Sequence, residues 1–142
     1  MNAGYKKLKI YQLAHELALQ VHKMSLKLPK FEMYEEGSQV RRSSKSVSSN
    51  IVEGYSLRRY KAEYIRYLFR AYASSQETVE HLTYLHETES LKDTRIYKKF
   101  ITKYSELNKM LFSFIRSVEE MHETDLFSFD KEHSIKHLIS TI

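Results

Sequence analysis

The sequence predicts an all-α protein, an up-down-up-down antiparallel four-helix bundle with a short C-terminal extension. Three observations carry that expectation. Four long stretches repeat apolar residues at alternating three- and four-residue spacings, which line up on one face of an α-helix. Only three glycines and one proline occur in 142 residues, too little turn material for a chain of many short strands. The stretches are joined by short connections, the arrangement of antiparallel neighbours in a bundle. A chain of this length is expected to bury roughly 68–70% of its unfolded surface. The bundle is expected over residues 1–122, and 123–142 reads as a tail expected to dock, as a short helix, on the bundle or on a neighbouring subunit, or else to be a disordered terminus.

The first helix is expected from Leu8 to Leu28, with Ile10, Ala14, Leu17, Val21, Met24 and Leu28 on one stripe. Pro29 ends it, because proline lacks an amide hydrogen and restricts the residue before it. Lys30 to Gly37 reads as a loop. Ser38 is the expected N-cap of the second helix, whose stripe is thin: Val40, Ser44, Val47, Ile51 and Gly54. Seven serines between Ser38 and Ser56 are poor helix formers, so packing must hold this helix, and small residues let a neighbour approach closely. Asn50 and Glu53 read as a polar clasp on the hairpin, and Gly54 as the left-handed residue that closes the helix.

Helix three is expected from Tyr60 to Glu89, with a seam of Ile65, Leu68, Tyr72, Ser75, Val79, Leu82 and His86. Tyr64, Ala71, Thr78 and Leu85 lie beside that seam. Asp93 is the expected cap of helix four, which runs to His122 with Tyr97, Phe100, Tyr104, Leu107, Leu111, Phe114, Val118 and Met121 inward. In the tail, Phe127 and Phe129 precede Asp130, the expected cap of a short amphipathic helix that would contain Ile135, Leu138 and Ile139.

The chain carries 23 Lys and Arg against 18 Asp and Glu, a formal charge of +5. Its distribution is uneven. Residues 38–76 hold eight basic residues, Arg41, Arg42, Lys45, Arg58, Arg59, Lys61, Arg66 and Arg70, against the two acids Glu53 and Glu63. A locally basic face fits polyanionic partners, or the solvated cations of an ordinary helical surface. If the second and third helices form a hairpin, Arg41, Arg42 and Lys45 fall at a height similar to Arg66 and Arg70, giving one basic band. Such a band binds phosphates with strong salt dependence and little base selectivity. Tyr55, Tyr60 and Tyr67 could stack on unpaired bases, or pack the hairpin or a subunit contact.

Catalytic signatures are missing. Gly37 and Gly54 stand alone and make neither a P-loop nor a dinucleotide fingerprint. There is no GxSxG, no HExxH and no cysteine. Di-iron carboxylate bundles need two Glu-x-x-His pairs, and only Glu119 with His122 has that spacing. His133 and His137 with Asp130 have zinc-compatible spacing if the tail is helical, but chance surface histidines explain them better. No enzyme, metal or cofactor is expected. Without cysteines, a signal-peptide core or a run of about 18 apolar residues, the expected setting is a bacterial-type cytosol with no membrane partner.

The run QVRRSSKSVSSNIVEG, followed by RRYKAEYIRYL and by Ala71, Ser74, Glu77 and Leu82, resembles the four-helix-bundle proteins encoded in intervening sequences of bacterial 23S ribosomal RNA genes. The pattern Gln39, Arg42, Ser46, Asn50, Glu53, Gly54 carries the likeness, supported by LKIYQLAHEL, the Leu28-Pro29 pair and Tyr34. Ser48 replaces the family's usual proline and Ala73 a frequent glycine, changes expected to straighten the helices. The resemblance implies a cytosolic, non-enzymatic homo-oligomer, a pentamer, similar to accessory proteins of diversity-generating retroelements that bind nucleic acid and a reverse transcriptase. RNA or DNA is then the partner. The alternative is a structural or protein-interaction scaffold, in which Leu57, Phe69, Ile101, Phe112 and Ile115 supply the contacts.

Overall fold

A computed structural model describes residues 4–127 of the chain. Four helices dominate: α1 (Lys9–Ser25), α2 (Glu36–Ser56), α3 (Lys61–Glu87) and α4 (Thr94–Glu120), followed by the short α5 (Glu123–Phe127). Each long helix packs on its sequence neighbours and α4 returns to α1, closing an all-α four-helix bundle. Interhelical bonds fix the directions. Along α2, Ser43 and Ser46 meet Thr78 and Ser74 of α3 in descending order. Lys61 at the start of α3 reaches Glu119 at the end of α4. Asp130, His133, Ile135, His137, Leu138 and Ile139, and the helix expected there, lie outside the described residues.

The α1 stripe is buried at Ile10, Ala14, Leu17 and Val21. The helix stops at Ser25, three residues short of the expected end. There the Lys27 and Leu28 amides bond three residues back, to Met24 and Ser25, tightening the chain ahead of Pro29. Lys30–Tyr34 is a 3₁₀ turn rather than an open loop.

Ser38 does not cap α2, which begins two residues earlier at Glu36. Glu32, 4% exposed, does that work: one carboxylate oxygen accepts the Glu36 amide at 3.3 Å and the other accepts the Ser90 hydroxyl. Gly37 lies inside the helix, where any Cβ would strike the Glu32 carbonyl oxygen.

Gly54 also sits inside its helix, and no described glycine has a positive φ. Its role is close approach. A Cβ there would lie 3.0 Å from Tyr67 Cβ and 3.3 Å from Tyr64 Cδ1. The left-handed residue is instead Glu89, φ 65°, just beyond α3.

The buried line of α3 keeps Leu68, Ser75 and Leu82 of the expected seam, while Tyr64, Ala71, Thr78 and Leu85 take the places of Ile65, Tyr72, Val79 and His86, each one position earlier. Ile65, Tyr72 and Val79 are half-buried. The small face of α2 draws α3 inward, so Thr78 becomes interior and Tyr72 turns toward Phe112 of α4. In α4, Asp93 accepts the Arg95 amide at 2.9 Å and the Ile96 amide at 3.3 Å as the N-cap. Ile115, expected to be surplus surface, is 1% exposed and belongs to the core.

Candidate nucleic-acid interface

A ladder of short side chains sets α2 against α3. Ser46 Oγ lies 2.9 Å from Ser74 Oγ, and Thr78 Oγ1 is 2.8 Å from both Ser43 Oγ and the Ser74 carbonyl oxygen. Asn50 Nδ2 donates to the Ser46 carbonyl at 2.8 Å and to Ser46 Oγ at 3.0 Å. Asn50 therefore reaches α3 only through Ser46, and Glu53 is exposed beside it. Short hydroxyls keep the helix backbones close, so cations on the outer faces are carried by a rigid pair.

The eight basic residues separate into two groups. Arg41 is turned into the fold: Nη1 donates to Ser25 Oγ at 3.1 Å and Nη2 to the Met33 carbonyl at 2.6 Å, joining three segments. Lys61 Nζ donates to the Glu119 and Met121 carbonyls at 2.6 and 2.5 Å, serving the unsatisfied end of α4. Arg58 is half-buried, stacked 4.1 Å from the Tyr55 ring centroid and donating to its carbonyl at 3.0 Å.

Arg42, Lys45, Arg59, Arg66 and Arg70 are exposed. Arg66 makes a surface pair with Glu63 at 3.6 Å, and the Arg70 guanidinium lies 5.1 Å from the Tyr67 ring centroid. Among the described residues, Arg42 and Lys45 have no side-chain partner. The ladder places Arg42 level with Thr78, so Arg66 and Arg70 sit roughly 12–18 Å nearer the α2–α3 turn at 1.5 Å per residue. Arg42 and Lys45 on α2 and Arg66 and Arg70 on α3 therefore form a staggered strip rather than one level band. Tyr60 is 58% exposed at the turn, whereas Tyr55 is buried.

A second surface escaped the charge count. A groove of about 710 Å³ runs between α3 and α4, lined by Tyr72, Gln76, Asn108 and Phe112, with Lys109 and Arg116 at its edge. Asn108 Nδ2 donates to Gln76 Oε1 at 3.3 Å, while Asn108 Oδ1 is buried without a partner. Phe112 is 49% exposed, and Phe69, elsewhere on α3, is 41% exposed. The apolar residues in this sequence were visible; the amide pair beneath them had no sequence signal.

Burial pushes the phenols of Tyr64 and Tyr104 well above their ordinary range, and both hydroxyls lack a hydrogen-bond partner. Tyr11 is also raised, by burial and by the neighbouring Tyr5. Among the described residues no three His, Cys, Asp or Glu side chains converge to hold a metal ion. No described helix is long and apolar enough to cross a membrane.

The family model described as 23S rRNA-intervening sequence protein matches residues 6–113. The chain is also similar to a crystal structure of a protein with unknown function from the S23 ribosomal protein family of Bacteroides thetaiotaomicron. The two share 25% identity and a TM-score of 0.66, over 75% of this chain and 97% of that one. No curated protein matches the chain.

Proposed function

The chain belongs to the 23S rRNA-intervening sequence protein family, and from that premise we propose that it is a non-enzymatic, cytoplasmic, oligomeric RNA-binding bundle. The observation that carries the reading is the outward strip of Arg42, Lys45, Arg66 and Arg70 on two helices locked by the Ser46–Ser74 contact. Cations on a rigid frame bind phosphates without the entropic cost of ordering a loop. Glu53 and Glu77 stand exposed and Glu63 half-buried on the same helices, so the strip suits spaced phosphates of a folded strand better than a dense polyanion. Arg59 and Tyr60 extend it at the turn, where Tyr60 is open to stack on an unpaired base. Arg41, Arg58 and Lys61 are assigned to holding the frame.

Assembly is the second part of the reading, carried by the exposed Phe112 at the α3–α4 groove, with Phe69 exposed on α3 as a further apolar residue. A ring of copies, a pentamer by resemblance, would repeat the strip and raise its avidity. DNA and a reverse transcriptase are the further partners that resemblance suggests; a scaffold without nucleic acid is the competing reading.

Gel retardation with structured and single-stranded RNA at several salt concentrations tests the proposal. A shift that weakens with salt and disappears when Arg42, Lys45, Arg66 and Arg70 are changed to Glu, at unchanged oligomer mass, supports it. No shift at low salt leaves the scaffold.

A further inference from the structure

We propose that the corner between the end of α1, the α3–α4 connection and the start of α4 binds a single-chain amphiphilic anion, a carboxylate on an aliphatic tail. A groove of about 450 Å³ opens there, within the range of roughly 300–1,000 Å³ typical of small-ligand sites. Its apolar lining is Met24, Leu28, Leu91 and Phe100, with Ile96, 41% exposed, among them. Around that lining stand Lys23, Lys27, Lys92 and Lys99. Among the described residues none of these four has an acidic partner. The acid that lines the groove, Asp93, already accepts the Arg95 and Ile96 amides as the cap of α4. The site thus combines an apolar base with uncompensated positive charge.

That combination selects the ligand. Lysine stems cover apolar surface while their ammonium heads stay in water, so a tail can lie on the floor with its carboxylate among the heads. Nucleic acid fits poorly, because Phe100 is only 6% exposed and offers no face for a base. A partner helix fits poorly as well: at about 10 Å across, it exceeds the groove's volume within two turns. The site lies at the opposite end of the bundle from the α2–α3 turn and stands apart from the RNA reading.

The test is calorimetric titration of the full chain with dodecanoate below its micelle concentration, beside decanoate, dodecyltrimethylammonium and anionic phosphatidylglycerol vesicles. Dodecanoate is expected to bind at one site per chain. Decanoate should bind up to about fifteenfold more weakly, since each buried methylene contributes a factor of about four. The cationic amphiphile should not bind. Lys27→Glu with Lys99→Glu should weaken dodecanoate at least tenfold while helical circular dichroism and Tm are retained. Reversing Arg42, Lys45, Arg66 and Arg70 should leave it unchanged, so this site and the RNA strip fail independently. Any one of four results overturns the proposal: no dodecanoate binding, equal binding of both amphiphile signs, indifference to the lysine reversals, or capture by vesicles in place of the free anion.

Discussion

Ser46 Oγ and Ser74 Oγ face each other 2.9 Å apart across the seam of α2 and α3, with Asn50 donating to the same Ser46 oxygen. A contact between two hydroxyls on short stems is possible only where the backbones run close. Enlarging a residue here acts as a wedge. Ser46→Leu is expected to destabilise the fold by about 1–3 kcal/mol, the usual cost of overpacking, and Ser74→Ala by about 1 kcal/mol. Gly54→Val should match Ser46→Leu, since its Cβ would meet Tyr67 at 3.0 Å. Urea unfolding followed by circular dichroism measures all three.

Lys61 lies in the basic run yet donates to two carbonyls at the end of α4. Its replacement should therefore register in stability and not in RNA affinity. Lys61→Met is expected to lower stability by about 1 kcal/mol, a charged hydrogen bond discounted for partial exposure. RNA retardation should be unchanged within twofold. A loss of affinity at full stability would move Lys61 into the binding strip.

Buried phenols make the fold sensitive to alkali. Tyr64 and Tyr104 are held protonated by burial, so their folded pKa values lie above the unfolded value of about 10. A group raised in this way stabilises the folded state fully below the unfolded pKa. As pH rises past about 10, the unfolded chain sheds protons that the folded one keeps, and stability falls by up to about 1.4 kcal/mol per pH unit for each tyrosine. Tyr64→Phe with Tyr104→Phe should flatten that fall. Because both hydroxyls are unpartnered, the double variant should cost little at pH 7. Equilibrium unfolding between pH 8 and 11.5 checks both statements.

At the α3–α4 groove, Phe112 stacks edge-on against Tyr72 at 6.0 Å and remains 49% exposed. If copies meet on this face, Phe112→Glu buries an unpaired carboxylate in the contact and should dissociate the oligomer, while the exposed position spares the monomer fold. Light scattering coupled to size exclusion reads the mass. An unchanged oligomer would place the subunit contact elsewhere.

Periodicity made the four helices legible because it reports which residues share a face. The lines Ile10–Val21 in α1 and Phe100–Val118 in α4 are buried as spaced, and Asp93 caps where a lone acid before a helix should. What spacing does not report is which neighbour a face meets, or how closely. Four positions of the α3 seam shift by one residue where the small side chains Ser43 and Ser46 and the glycine Gly54 bring α2 close, and Gly54 serves approach rather than termination. Bonds between distant residues were equally silent. Glu32 meets Ser90 fifty-eight positions away, and Arg41 reaches back to Ser25. The composition of the basic patch was thus readable, but its division into structural and outward cations needed those partners.

That division sets the last prediction. Arg42, Lys45, Arg66 and Arg70 are exposed, and the sole carboxylate bonded to any of them among the described residues is Glu63, in a surface pair of little energy. Arg41, by contrast, holds Ser25 and the Met33 carbonyl. If the four outward cations each neutralise one phosphate, the logarithm of RNA affinity against the logarithm of salt should fall with a slope near −3 per protomer on single strands, about 0.7 per contact. Neutralising them one at a time should reduce the slope by about 0.7 each, with Tm unchanged. Arg41→Gln should do the reverse, lowering Tm through the loss of charged hydrogen bonds and leaving the slope intact. A slope that responds to Arg41 and ignores Arg70 would place the phosphate path on the other side of α2.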